Sequence, residues 1–284
     1  MKALITGSNY LSGRSLLAEL SYFGNSVAGI VVDEQNTDAA FHSDLLNPEK
    51  IREIVELVQP DVLFHFASSL HSSISEELLQ QDIERTRNII EVAGKVRVIF
   101  ISSPEVYGIQ KVQPVKEDAS CNPSTPLGVS LKEQEELVRE YCNKGRNILI
   151  ARVFSPALFS DFCRQLSLVE RGKESKIQIS TGYVIRDVVD DRDSAKALVL
   201  LAQKGQIGEI YNLCTGKGAL LKEARRQLLS FSSAKSELIE NKELPQEVSI
   251  VGDSSKLTSI TGWHPRTPLR QTLQEVLDFW RSKV

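Results

Sequence analysis

Four short apolar runs, Lys2–Ile5, Val27–Val32, Val62–Phe66 and Val98–Ser102, alternate with amphipathic helical stretches through the first half of the chain. The runs are apolar throughout, not at every second position, so both faces of each strand must be covered. Parallel strands meet that requirement, because every crossover lays a helix across the sheet. A further run, Ile148–Phe154, follows a helix expected from about Leu131 to Tyr141, whose Leu137 and Val138 can face the sheet. The pattern predicts repeated βαβ units and a parallel sheet of about six or seven strands. Beyond Pro156 the alternation weakens. Ile177–Ser180, Ile210–Leu213 and Val248–Val251 read as short strands among the helices of a smaller second lobe.

The chain is 284 residues long, enough for one large domain with a smaller appendage. The expected fold class is α/β: a Rossmann-type doubly wound parallel sheet over residues 1–156, with residues 157–284 forming mostly a smaller α/β substrate lobe. Some of the later segments are expected to return to the first domain. A net charge of −3 gives no basic field for nucleic acid. No signal peptide or membrane span is visible, so the expectation is a cytoplasmic protein without a membrane partner. Cys121, Cys142, Cys163 and Cys214 show no CxxC pairing and no His at ligand spacing. They read as buried free thiols, with no metal site.

The segment Thr6-Gly7-Ser8-Asn9-Tyr10-Leu11-Ser12-Gly13 leaves the first strand and opens a helix expected from about Gly13 to Phe23. That is the place for a pyrophosphate loop. Glycines allow a sharp turn and close backbone approach, and the free N–H groups of the helix end favour an anion. Gly7 and Gly13 fit this role. Tyr10 stands where a third glycine would give the closest approach, so its ring crowds the spot. An ordinary strand-to-helix turn is the alternative reading.

This loop, Ser43-Asp44-Leu45, Asp61 to Ala67, and Ser102-Ser103-Pro104-Glu105-Val106-Tyr107-Gly108 occur in an order that resembles the extended short-chain dehydrogenase/reductases of the NAD-dependent epimerase/dehydratase family. Arg186 to Asp191, Gly208 to Asn212 and Thr261 to Leu269 look like the same family's substrate-lobe segments, so the likeness spans nearly the whole chain. GDP-4-keto-6-deoxymannose reductases and GDP-mannose 4,6-dehydratases look nearest. The resemblance implies a dinucleotide held by Gly7, Tyr10, Leu11 and Gly13, with Asp44 and Leu45 at the adenine and Phe66 and Ala67 beside the ribose. It also implies a nucleotide sugar as ligand, and a homodimer in which a helix such as Lys132–Tyr141 joins a four-helix packing.

In this family an acidic residue ending the second strand receives the adenosine ribose, and a basic one there selects NADP. Val31 falls at that position. Asp33, two residues on, shares its strand face and could substitute; a solvated turn Asp beside Glu34 is the alternative. With no Arg or Lys nearby, NAD is expected in preference to NADP. His65 reads as a packed strand residue and is assigned no chemistry.

Active relatives carry Tyr and Lys at YxxxK spacing on one helical face, the Tyr as acid or base and the Lys lowering its pKa. The equivalent stretch here is Pro126-Leu127-Gly128-Val129-Ser130-Leu131-Lys132, which puts Leu127 and Leu131 at those positions. Leucine can neither donate nor store a proton. Lys132 is one step, about 100° of helical turn, off the expected face. Tyr107 to Lys111 also spells YxxxK but lacks the helical context. Ser103 and Glu105 remain as catalytic candidates, a hydroxyl for the sugar and an acid/base carboxylate; the alternative for Glu105 is a salt-bridged residue at a strand end. The segment after Pro156 lacks the Gly-rich loop expected beside the sugar. Leu244-Pro245 stands where a diphosphate-binding Arg-Pro is expected, and leucine cannot match an arginine fork. Three readings stay open: a catalytically impaired family member or pseudoenzyme, an active nucleotide-sugar epimerase, dehydratase or 4-keto reductase with an altered site, and an interaction protein without cofactor.

Overall fold

The computed structural model of the protein describes residues 1–31, 41–66, 75–180, 183–234, 237–241 and 248–284. The first part of the chain runs β1 (Lys2–Thr6), α1 (Leu11–Tyr22), β2 (Ser26–Val31), β3 (Phe41–His42), α2 (Pro48–Val58), β4 (Val62–Phe66), α3 (Glu76–Ala93), β5 (Arg97–Ser102), α4 (Pro126–Asn143) and β6 (Ile148–Val153). It continues through α5 (Ser160–Glu170), β7 (Lys176–Ser180), β8 (Val184–Asp187), α6 (Asp191–Lys204), β9 (Ile210–Leu213), β10 (Gly218–Leu220) and α7 (Leu221–Ser230). The chain closes with β11 (Glu237–Asn241), β12 (Val248–Ile250), α8 (Ser255–Thr261) and α9 (Leu269–Arg281).

Seven strands form one parallel sheet in the order β3-β2-β1-β4-β5-β6-β9. Ala3, Leu4, Ile5, Leu63, Phe64, Ile99 and Phe100 are wholly buried in it, as strands covered on both faces require. Helices α2, α3 and α4 pack side by side as one layer, and α1 packs against α6. The strand order reverses between β1 and β4, which opens a crevice at the carboxyl ends of the strands. Two small sheets, β10-β8-β12 and β11-β7, lie in the second half of the chain.

Three expectations need correction. Ile210–Leu213 is not a strand of the second lobe: as β9 it closes the main sheet, pairing Ile150 with Ile210 and Val153 with Leu213. Helix α4 begins at Pro126, five residues before the expected start, because the Thr125 side chain accepts the Gly128 N–H at 3.1 Å and Pro126 suits the first helical position. Among the cysteines only Cys163 and Cys214 are buried; Cys121 and Cys142 are partly exposed, and all four are free.

A buried polar chain ties β1 to α4. His65 is enclosed, and its Nδ1 lies 2.8 Å from Thr6 Oγ1 and its Nε2 3.0 Å from Thr86 Oγ1. Thr86 donates to Gln134 Oε1, Gln134 Nε2 donates to Ser130 Oγ, and Ser130 donates to the Leu79 carbonyl. Since Thr86 spends its proton on Gln134, His65 must donate from Nε2 and accept from Thr6 at Nδ1, which fixes one tautomer. Burial drives the imidazole down to about 3, so the ring is neutral.

Candidate active site at the carboxyl ends of the strands

The carboxyl end of β4 and the turns that follow β1, β5 and β6 converge on a cavity of about 280 Å³. Its walls include Tyr10 and Ser12 after β1, Phe66 at the end of β4, Ser102 to Glu105 at and after the end of β5, Phe154, Ser155, Ala157 and Leu158 after β6, Leu127 and Leu131 from α4, and Arg186 and Asp187 from β8. The sequence candidates Tyr10, Phe66, Ser103 and Glu105 therefore stand in one place. Leu131 is buried and Leu127 partly buried. Lys132 lies outside the cavity, with its amine 3.9 Å from Glu136 on the exposed face of α4.

The β1–α1 turn is tight. Gly7 has φ +70°, Tyr10 N–H bonds to Gly7 O at 3.1 Å, and a Cβ on Gly13 would lie 2.3 Å from that same carbonyl. The Tyr10 ring covers Gly7, where a Cβ would lie 2.9 Å from Tyr10 Cδ2, and Phe66 Cβ closes the other side at 3.4 Å. Ser8, 5% exposed, has no hydrogen-bond partner for its hydroxyl among the described residues. Leu11 opens α1 and packs against the C-terminal core. The start of α1 and the orphaned Ser8 hydroxyl can receive a pyrophosphate, while the Tyr10 ring restricts backbone approach at Gly7.

Asp44 is exposed and 3.7 Å from Arg85, while Leu45 is buried in the main core. Asp33, Ala67 and Leu244-Pro245 lie outside the described residues.

After β5 the chain makes a short 3-10 turn, Pro104–Tyr107, capped by Ser103 Oγ, which accepts the Glu105 N–H at 3.3 Å. Gly128 lets α4 settle on this turn, since a Cβ there would lie 2.5 Å from Glu105 O. That contact brings Leu127 and Leu131 beside Ser103. Glu105 Oε1 is 3.8 Å from Arg186 Nη2, too long for a hydrogen bond. Arg186 Nη1 is buried without a partner among the described residues, and so is Ser102 Oγ. The cavity thus has apolar walls and two unspent polar groups, one of them cationic. It suits an anionic or hydroxylated ligand with an apolar face.

Tyr107 belongs to the scaffold. Its hydroxyl donates to Asn212 Oδ1 at 2.7 Å, its ring lies 4.5 Å under the Arg152 guanidinium, and burial pushes it up to about 12. In the cavity wall Asp187 accepts N–H bonds from Thr215, Gly216 and Gly252, and elsewhere Asp193 accepts those of Arg266 and Thr267. These carboxylates pin the second lobe.

Sequence reasoning missed Arg186, Ser102, Ser12 and Asp191. A charged pair, Arg186-Asp187, ending the strand Val184–Asp187 was a signal for the first. The doubled acid Asp190-Asp191 ahead of α6 was another: Asp190 caps the helix by accepting Arg192 N–H at 2.9 Å, which leaves Asp191 a separate task.

The profile of the NAD dependent epimerase/dehydratase family matches residues 3–214, and the chain belongs to that family. Among curated relatives, GDP-6-deoxy-D-mannose reductase of Pseudomonas aeruginosa is 25% identical over 85% of this chain and 86% of its own. Of solved structures, RMD from Pseudomonas aeruginosa complexed with NADPH is similar with a TM-score of 0.80 at 22% identity, covering all of both chains. UDP-glucose 4-epimerase from Bifidobacterium longum in complex with NAD+ and UDP gives 0.86 at 19%, covering 100% of this chain and 98% of that one. These likenesses bear out the doubly wound fold. Among the described residues no helix is long and apolar enough to cross a membrane.

Proposed function

We propose that the chain binds a nicotinamide dinucleotide, NAD in preference to NADP, together with a nucleotide sugar, and turns the sugar over weakly or not at all. The observation that carries this reading is the pair Leu127 and Leu131 in the cavity wall, with no lysine lining the cavity among the described residues. When bound, the dinucleotide supplies a hydride acceptor or donor. The chain's own part is to hold the pyrophosphate at Gly7 to Gly13, orient a sugar oxygen at Ser103 and receive an anionic group at Arg186. Residues 157–284 supply most of the sugar side. Proton transfer is the missing function, because the leucines at positions 127 and 131 cannot perform it. Relatives named for GDP-6-deoxymannose, dTDP-glucose and UDP-glucose support a nucleotide-sugar ligand.

Thermal denaturation with NAD, NADH, NADP and NADPH tests the first half. A ligand at one hundred times its Kd stabilises by about 2.7 kcal/mol, so NAD and NADH should raise the midpoint more than their phosphorylated counterparts. Turnover tests the second half. NADH-linked conversion of a GDP- or dTDP-4-keto sugar, abolished by Ser103→Ala, would overturn the impaired reading. The pair Leu127→Tyr/Leu131→Lys is expected to raise turnover from the background of the native chain.

A further inference from the structure

The N-terminal ends of α1 and α6 meet beside the phosphate loop, and a carboxylate lies between them. Asp191, at the first position of α6, accepts a hydrogen bond from Ser12 Oγ at 2.5 Å, and Ser12 is the second residue of α1. Ser155 Oγ stands 3.5 Å from the same hydroxyl. Ser12 and Ser155 both line the cavity, whereas Asp191 is only 5% exposed and stands one hydroxyl behind it. The cavity also holds the unpartnered Ser102 hydroxyl and Arg186 Nη1, so it is a built polar site and not only a helix end.

The charges facing Asp191 come from three elements. Next to it, Asp190 is neutralised by Arg192 through bonds of 2.8 and 3.0 Å. Farther along α6, Asp193 is spent on the backbone of Arg266 and Thr267. From α9, Glu275 sits 2.5 Å from Arg192 Nη1. On α1, Arg14 is turned away over the Phe279 ring. Among the described residues no cation makes a salt bridge to Asp191, and Arg192 acts on it only at a distance. Burial above all, then Asp190 and Glu275, push its carboxyl up to about 7 against the Ser12 hydrogen bond and the charge of Arg192.

We propose that Asp191 makes the dinucleotide site proton-coupled: a diphosphate is accepted at the α1 loop with uptake of one proton at the Asp191 carboxylate. The inference rests on the dinucleotide reading above and adds a specificity-determining residue to it. The positive end of a helix offers only about half an elementary charge. An ionised Asp191 already draws on that end, and a diphosphate brings a second anion to the same turn in a low-dielectric cleft. A nearby like charge disfavours ionisation, so the ligand drives Asp191 to its neutral form and, reciprocally, the neutral form binds the ligand better. The proton comes from solvent and remains on the carboxyl as long as the ligand is bound.

Calorimetric titration of the full chain with NADH, in two buffers of different ionisation enthalpy, reads proton uptake directly. NADH is the probe because its diphosphate does not titrate in this range. The Kd is expected to be about tenfold weaker at about pH 8 than at about pH 6, with close to one proton taken up at the higher pH. Asp191→Asn should bind with one affinity at both pH values and take up none. Equal affinity at both pH values without buffer dependence, or an undiminished slope in Asp191→Asn, overturns the proposal and leaves the dinucleotide reading standing. Failure of the native chain to bind NADH at the lower pH sinks the dinucleotide reading and this proposal with it. The buffer comparison on the native chain needs no variant to fold.

Discussion

Replacing Glu135 with Gln strikes a fully buried ion pair between α4 and β6. Arg152, wholly buried on β6, donates to Glu135 of α4 through Nε at 2.9 Å and Nη2 at 2.6 Å, a bidentate fork. Its remaining contacts are the Glu117 carbonyl, Cys121 Sγ and the face of Tyr107. In Glu135→Gln the guanidinium keeps those contacts but loses its counter-charge and one acceptor. Removing one member of a buried pair costs about 3–5 kcal/mol, and the surviving contacts place this case near 3. Arg152→Met leaves Glu135 enclosed and uncompensated, with a cost in the same range. The double variant Arg152→Met/Glu135→Leu removes both charges and replaces them with apolar volume, so about 2 kcal/mol or less is expected. Urea denaturation of the four proteins at neutral pH completes the cycle. If the single costs add to the double within about 0.5 kcal/mol, the two groups are not coupled and the reasoning fails.

Asp191→Asn also changes stability without ligand. A carboxyl raised by folding favours the protonated chain, so native stability falls as pH rises from about 4 towards about 7 and is level above it. The lift from an ordinary carboxyl to about 7 is worth roughly 4 kcal/mol, and the variant should exceed the native chain by up to that amount at about pH 8 and match it near pH 4. A constant difference across that range in denaturant midpoints would count against a buried acid. Thr86→Val orphans His65 Nε2 and Gln134 Oε1 together and should cost about 3 kcal/mol in chemical denaturation. His65 itself should show no titration by NMR between about pH 5 and 8, since its imidazole lies near 3.

Most of the main sheet was legible because β1, β4, β5 and β6 are predominantly apolar without alternation, as strands covered on both faces of a parallel sheet are. β3 was not, since Phe41–His42 is too short to make a run. β9 was recognised as a strand but given to the wrong lobe: a four-residue strand looks alike wherever it pairs, and periodicity carries no information about neighbours. The start of α4 was written in Thr125-Pro126, but Gly128, a poor helix former, masks it. At the site, Gly7, Tyr10, Ser103 and Glu105 could be found because each follows directly on a strand end. The Ser12–Asp191 contact could not, because it joins residues 179 positions apart and exists only once α1 and α6 are packed.

The return of β9 to the main sheet bears on how the protein is made. While residues 1–156 are emerging, Ile150 to Val153 have no outer partner, because the strand that pairs with them has yet to be synthesised. An apolar strand with free N–H and C=O groups is a template for pairing with another chain. Until Ile210–Leu213 arrives, the nascent sheet is open along β6 and vulnerable to self-association, and a chaperone that shields this edge during translation would act where the exposure is greatest.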